Sequence, residues 1–208
     1  MIDPATTNGS TSTPAPLQLF LELTSACNLA CHHCYVSAGE GEVRQIPGPL
    51  LQQLLLEFQA LGGVYATFSG GEPTLHKSWK PAMRFARFIG LDTMLLTNGT
   101  TLRAQDIDFL RELDSQVAIS LDAGNPIAHD AIRGEGTFEK TLARLEQLSA
   151  KGMGSNVTLC FTPMACNYRL LPEIVSLADR LGIGTVYLSL LEDRGRAKNG
   201  FGSITLDN

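Results

Sequence analysis

What this sequence has little of narrows it first. Only 18% of its 208 residues are charged, and Lys+Arg 16 against Asp+Glu 21 leaves a net charge of −5. Without a basic excess, broad non-specific binding of nucleic acid is excluded, although a local basic patch is not. No apolar run approaches the ~20 residues that span a bilayer, so no membrane span is expected. Residues 1–16 lack both the basic end and the apolar centre of a signal peptide. Rich in Thr, Ser, Pro and Asn, they offer almost nothing to bury and read as a disordered arm. A cytoplasmic location is the expectation, and there clustered cysteines suggest metal rather than disulfides.

Beyond the arm the chain is regular. Strand signals at 17–23, 64–68, 93–96, 117–121, 156–162 and 185–190 alternate with helix signals at 50–61, 79–89, 104–113, 138–151 and 170–181. Cycles of this order favour a parallel sheet with right-handed crossovers. Polar and Gly-rich residues follow the carboxyl ends of the strands, where α/β barrels place their sites. Six strands are too few for an eight-stranded barrel, so the expected fold is α/β, an open or partial barrel with parallel strands. One core domain over 17–197 and a short tail at 198–208 complete the expected organisation.

The sharpest signal is Cys27-Asn28-Leu29-Ala30-Cys31-His32-His33-Cys34-Tyr35, a Cys-x3-Cys-x2-Cys triplet directly after the first strand. Thiolates at this spacing on a loop can converge on one metal centre. A cubane iron–sulfur cluster normally takes four cysteines. The run supplies three, and the next, Cys160, is far along the chain; an iron left without a protein ligand can bind an exogenous one. The competing readings are a zinc site using His32 or His33 as fourth ligand, a purely structural or electron-carrying cluster, and inert buried thiols. A second motif, Ser69-Gly70-Gly71-Glu72-Pro73, ends the second strand. Its glycines allow close backbone approach to a ligand, Glu72 offers an acceptor for an ammonium group, and Pro73 stiffens the exit. An ordinary turn with a solvated Glu is the plain alternative.

Together these motifs resemble the radical S-adenosylmethionine enzymes. The resemblance rests on the triplet, on Gly70-Gly71-Glu72-Pro73, on Thr97-Asn98-Gly99 after the third strand, and on Ser120-Leu121-Asp122 at the fourth. It covers residues 17–197 and implies a partial (β/α)6 barrel. It also implies that Cys27, Cys31 and Cys34 hold a [4Fe–4S] cluster whose fourth iron is chelated by the methionine end of S-adenosylmethionine. On this resemblance Gly70, Gly71, Glu72 and Pro73 form the turn that binds the methionine amino group. Ser120 and Asp122 stand either as ribose or carboxylate contacts or as strand-end caps. Arg133 pairs either with the methionine carboxylate or with nothing but solvent. Asn98 is either a cofactor contact or a turn residue. Cys160 reads as a core residue and Cys166 as an unassigned thiol.

The implied reaction is reductive cleavage of S-adenosylmethionine to a 5′-deoxyadenosyl radical that abstracts hydrogen from a substrate. The electron comes from an external donor such as a flavodoxin or ferredoxin. Residues 188–197 resemble the segment after the sixth strand in the branch of peptide and haem maturases. Maturation of a ribosomally made peptide or protein is therefore the first expectation. Tetrapyrrole or other cofactor biosynthesis, on a small-molecule substrate, is the second. A non-catalytic iron–sulfur binding or assembly subunit is the third. That branch often continues into a cysteine-rich extension with further clusters. With only Cys160 and Cys166 after the triplet, one cluster per chain is expected, and the open side of the barrel calls for a partner chain, a second copy or the substrate. A truncated form of a longer enzyme is the alternative.

Overall fold

The computed structural model describes residues 15–199, so the expected arm at 1–16 and tail at 198–208 lie largely outside the described residues. The six expected strands all form: β1 (Gln18–Glu22), β2 (Tyr65–Ser69), β3 (Asp92–Thr97), β4 (Gln116–Ser120), β5 (Val157–Phe161) and β6 (Thr185–Leu188). Every neighbouring pair is parallel, and the order in the sheet is the order in the chain. A sheet built in sequence by right-handed crossovers keeps all its helices on one face. These are α1 (Gly48–Ala60), α2 (Trp79–Phe88), α3 (Ala104–Glu112), α4 (Pro126–Arg133), α5 (Thr137–Ala150) and α6 (Leu171–Arg180). β1 and β6 remain as edges, which leaves one side of the barrel open.

The two-residue period of the strands divides the side chains between the faces. Leu21, Phe68, Leu95, Val117, Ile119, Leu159 and Phe161 are buried toward the helices. They meet Leu51, Leu55 and Phe58 of α1, Met83 of α2, Leu110 of α3, Leu145 and Leu148 of α5 and Ile174 of α6. Trp79 packs edge-on against Phe109 at 5.5 Å and ties α2 to α3. Full burial of each large apolar side chain contributes about 1.5–3 kcal/mol. The alternate residues Phe20, Leu96, Ser120, Cys160 and Tyr187 face a cavity on the other side. Cys160 is thus a wall of that cavity rather than part of the core, because it is one residue out of phase with Leu159 and Phe161.

One element, α4, is absent from the hydrophobic pattern. Its apolar positions Ile127, Ala128, Ala131 and Ile132 do not mark the buried face, which is His129, Ile132 and Arg133, and Ile127 points into solvent. The helix is set by its ends. The Asn125 side chain accepts from the Ala128 amide at 3.0 Å, Pro126 occupies the first turn, and Gly134 ends the helix at φ +113°.

Phe161→Ala removes a fully buried ring and is expected to cost about 3–5 kcal/mol. Cys160→Ala, on the cavity face, is expected to cost no more than about 1 kcal/mol. Urea unfolding of the two variants measures the contrast.

Candidate functional site

The carboxyl ends of the parallel strands surround a cavity of about 500 Å³. Cys27, Cys31 and Cys34 line it, from the loop after β1, together with Gly70, Gly71, Asn98, Ser120 and Arg133. His33, Tyr35, Cys160 and Arg196 also contribute to its walls. The sulfurs of two of the cysteines accept backbone bonds, Cys27 from Leu29 at 3.5 Å and Cys34 from Ala38 at 3.3 Å. Burial pushes the Cys27 and Cys31 thiols up, against the Leu29 amide at Cys27 and the Arg133 charge at Cys31. Among the described residues no three His, Cys, Asp or Glu side chains converge as a single ion would require. Three thiols on one cavity wall are the donor chemistry that a cluster taking each thiolate on a separate iron would use.

The glycine turn packs against the strand of chain leading into the cysteine loop. Gly71 donates to the Thr24 carbonyl at 2.7 Å and Glu72 to the Ala26 carbonyl at 2.8 Å. A Cβ on Gly71 would stand 2.3 Å from the Ala26 oxygen, and one on Gly70 2.5 Å from the Thr24 oxygen, where φ is +141°. The two glycines are therefore required first by the approach of the cysteine loop itself. They line the cavity as well, with no side chain between it and their backbone.

Glu72 departs from the expectation of a free acceptor. It is fully buried and does not line the cavity. Its carboxylate accepts from the Thr74 hydroxyl and the Thr97 hydroxyl, each at 2.7 Å, from the Thr74 amide at 3.2 Å and from the Asn98 amide at 2.9 Å. Burial pushes its pKa up against the pull of these four donors. Pro73, also buried, begins the short 3₁₀ turn that brings Thr74 under this carboxylate. Asn98 behaves as a turn residue, accepting from the Thr100 amide at 2.9 Å, and its side-chain amide also donates to Asn28 of the cysteine loop at 3.0 Å.

Asp122 and Arg133 form a buried pair, with Arg133 Nε 2.5 Å from the carboxylate. Arg133 is therefore not a surface arginine, and Asp122 lies behind the cavity wall rather than in it. Asp122 also accepts from the Thr162 amide at 3.0 Å, and Arg133 reaches His33 Nε2 at 3.3 Å. Burial alone would push the Asp122 carboxyl up, but Arg133 above all holds it below the ordinary carboxylate range. Burial, and then Arg133, lower His33 to about 4, so its imidazole is neutral. Its Nδ1 is buried in the cavity wall without a hydrogen-bond partner. An orphaned polar atom of that kind fits a bound polar ligand.

The model of the Radical SAM superfamily matches residues 21–164. The chain belongs to the radical SAM superfamily. It is 32% identical over 183 residues to the mycofactocin maturase MftC of Mycolicibacterium smegmatis, covering 88% of this chain and 46% of that protein. It is 31% identical over 190 residues to the AdoMet-dependent heme synthase of Oleidesulfovibrio alaskensis, covering 88% and 48%. The chain spans about half the length of these curated relatives. The fold matches that of Streptococcus suis SuiB, solved bound to the precursor peptide SuiA, with a TM-score of 0.76 at 16% identity over 86% of this chain and 40% of that one.

Within this radical SAM domain one wall residue, Arg196, lies in the 188–197 segment singled out in the sequence, but nothing there indicates its contact with the cysteine loop. Arg196 reaches back from beyond β6 and donates to the Cys31 carbonyl at 2.8 Å, across 165 positions. Among the described residues no helix is long and apolar enough to cross a membrane.

Glu72→Gln turns an acceptor of four bonds into a side chain with an NH₂ facing donors. It is expected to destabilise the fold by about 1–3 kcal/mol, read by thermal or urea unfolding. A second expectation concerns acid. Because the folded pKa of Asp122 lies below its unfolded value, its stabilisation is complete above the ordinary carboxylate pKa of about 3.9 and is lost as pH falls through the lower folded value. The stability gap between wild type and Asp122→Asn should therefore shrink below about pH 4, measured by denaturant unfolding across pH.

Proposed function

We propose that residues 17–197 form a catalytic core that holds one [4Fe–4S] cluster on Cys27, Cys31 and Cys34 and S-adenosylmethionine beside it. The carrying observation is the shared cavity, in which the three thiols face the bare backbone of Gly70 and Gly71. When bound, the cluster and S-adenosylmethionine supply reductive cleavage to a 5′-deoxyadenosyl radical, which abstracts hydrogen from the substrate.

The chain's own residues do the rest. Gly70 and Gly71 give the methionine end close access to backbone, while Glu72 and Pro73 keep that turn in place from behind. Arg133 offers a guanidinium whose orientation is fixed by Asp122, suited to a carboxylate. Asn98, Ser120 and His33 supply neutral polar contacts for a ribose or base. At the open side, between the edge strands β1 and β6, Phe20 and Tyr187 line the cavity. A substrate, a second copy or a partner chain covers that side.

The substrate class best supported is a ribosomally made peptide or protein, in the cytoplasm, with a flavodoxin or ferredoxin as electron donor. Support comes from the relatives named as maturases and from the side of the sheet left open between β1 and β6. Tetrapyrrole modification is the second reading, favoured by the heme synthase relative at nearly the same identity.

Anaerobic reconstitution with iron and sulfide is expected to give a brown protein with about four irons per chain that releases 5′-deoxyadenosine under strong reductant. Cys27→Ala, Cys31→Ala and Cys34→Ala should each lose both properties. Full activity in any of the three would remove that cysteine from the ligand set, and saturation by one zinc without iron uptake would refute the assignment. Supplying a candidate precursor peptide or a porphyrin then separates the two substrate readings by the modified product in mass spectra.

A further inference from the structure

Two guanidinium groups pin the cysteine loop, one on each flank. Arg133 is cancelled by Asp122, which is fully buried beside it. Arg196 is different. Its Nε donates to the Cys31 carbonyl at 2.8 Å and its Nη1 to the Ala38 carbonyl at 3.0 Å. Its backbone amide donates to the Cys34 carbonyl at 2.9 Å. One residue thus spans the segment from Cys31 to Ala38, which contains Cys34 and the amide that bonds the Cys34 sulfur. The Arg196 side chain is only 15% exposed, whereas its carboxylate partner Glu40, at 2.7 Å, is 59% exposed. Water screens the carboxylate far more than the guanidinium, so the field left on the loop is positive.

We infer that Arg196 is a positioning residue that fixes the Cys31–Ala38 segment and raises the reduction potential of the cluster held there. This rests on the cluster reading above. Reduction adds one negative charge to the centre, and a fixed cation nearby stabilises that more negative state. The couple involves one electron, taken from the external reductant and passed on to S-adenosylmethionine where that is bound, and no protein bond is made or broken. The consequence is that a weaker donor suffices to charge the cluster.

The test compares wild type, Arg196→Gln, Arg196→Lys and Glu40→Gln after anaerobic reconstitution. Iron and sulfide analysis gives the loading, and potentiometric titration with dithionite, followed by electron paramagnetic resonance, gives the midpoint. Arg196→Gln is expected to move the midpoint to more negative values and Glu40→Gln to more positive ones. Arg196→Lys keeps the charge but not the planar fork that meets two carbonyls, so it should hold the midpoint nearer wild type while loading less iron. Full loading with unmoved midpoints in Arg196→Gln and Glu40→Gln overturns the inference and leaves the cluster reading standing. If Arg196→Gln holds no iron, Glu40→Gln decides: a positive shift supports the inference and no shift overturns it. Wild type that takes up no iron sinks both.

Discussion

The Glu72 carboxylate sits out of reach of water, and an acceptor there that lacked donors would cost more than most single contacts contribute. Its four bonds come from Thr74 on its own turn and from Thr97 and Asn98 at the end of the neighbouring strand. A parallel sheet aligns the ends of β2 and β3, but it leaves the loops beyond them independent. The carboxylate removes that independence. Asn98, fixed by its backbone amide, passes the constraint on to Asn28 between the first two cysteines. The position of the thiols thus depends on an acid that touches none of them.

Asp122 does the same work on the far side of the cavity. It gathers Arg133 from α4, the Thr162 amide from beyond β5 and, through Arg133, the ring of His33. A buried ion pair is weak evidence for stability, because desolvation offsets most of the attraction. Its value here is geometric. The guanidinium cannot swing into solvent, and the loop carrying Cys31 rests on the same helix end, with the His32 amide bonded to the Ile132 carbonyl at 3.0 Å. Two carboxylates behind the walls therefore brace the loops after β1, β2, β3, β4 and β5.

Strand order, the open barrel and the cysteine loop were legible because each has a local signature: a two-residue period, a crossover rule, a spacing of thiols. α4 was not legible, since its identity lies in Asn125, Pro126 and Gly134 at its ends rather than in its face. Glu72 and Asp122 were found as residues, but their orientation was not. Proximity to a glycine turn or a strand end places an acid near the cavity without saying whether it turns inward or back into the protein. That choice is made by donors such as Thr97 and Thr162, 25 and 40 positions away. Cys160 shows the same limit on a smaller scale, because its face depends on the phase of β5.

The reach of Arg196 to Cys31 also sets an order of events during synthesis. At about 5–20 residues per second, the 165 positions between them take roughly 8–30 seconds to translate. For that interval the three cysteines have emerged, but the chain that shapes their loop has not. The thiols wait on an unfinished sheet, open to oxidants and to competing metals. Lasting assembly of the proposed cluster belongs after translation of the sixth strand, and a cell that makes this chain has to keep these early-made cysteines reduced until Arg196 has followed them.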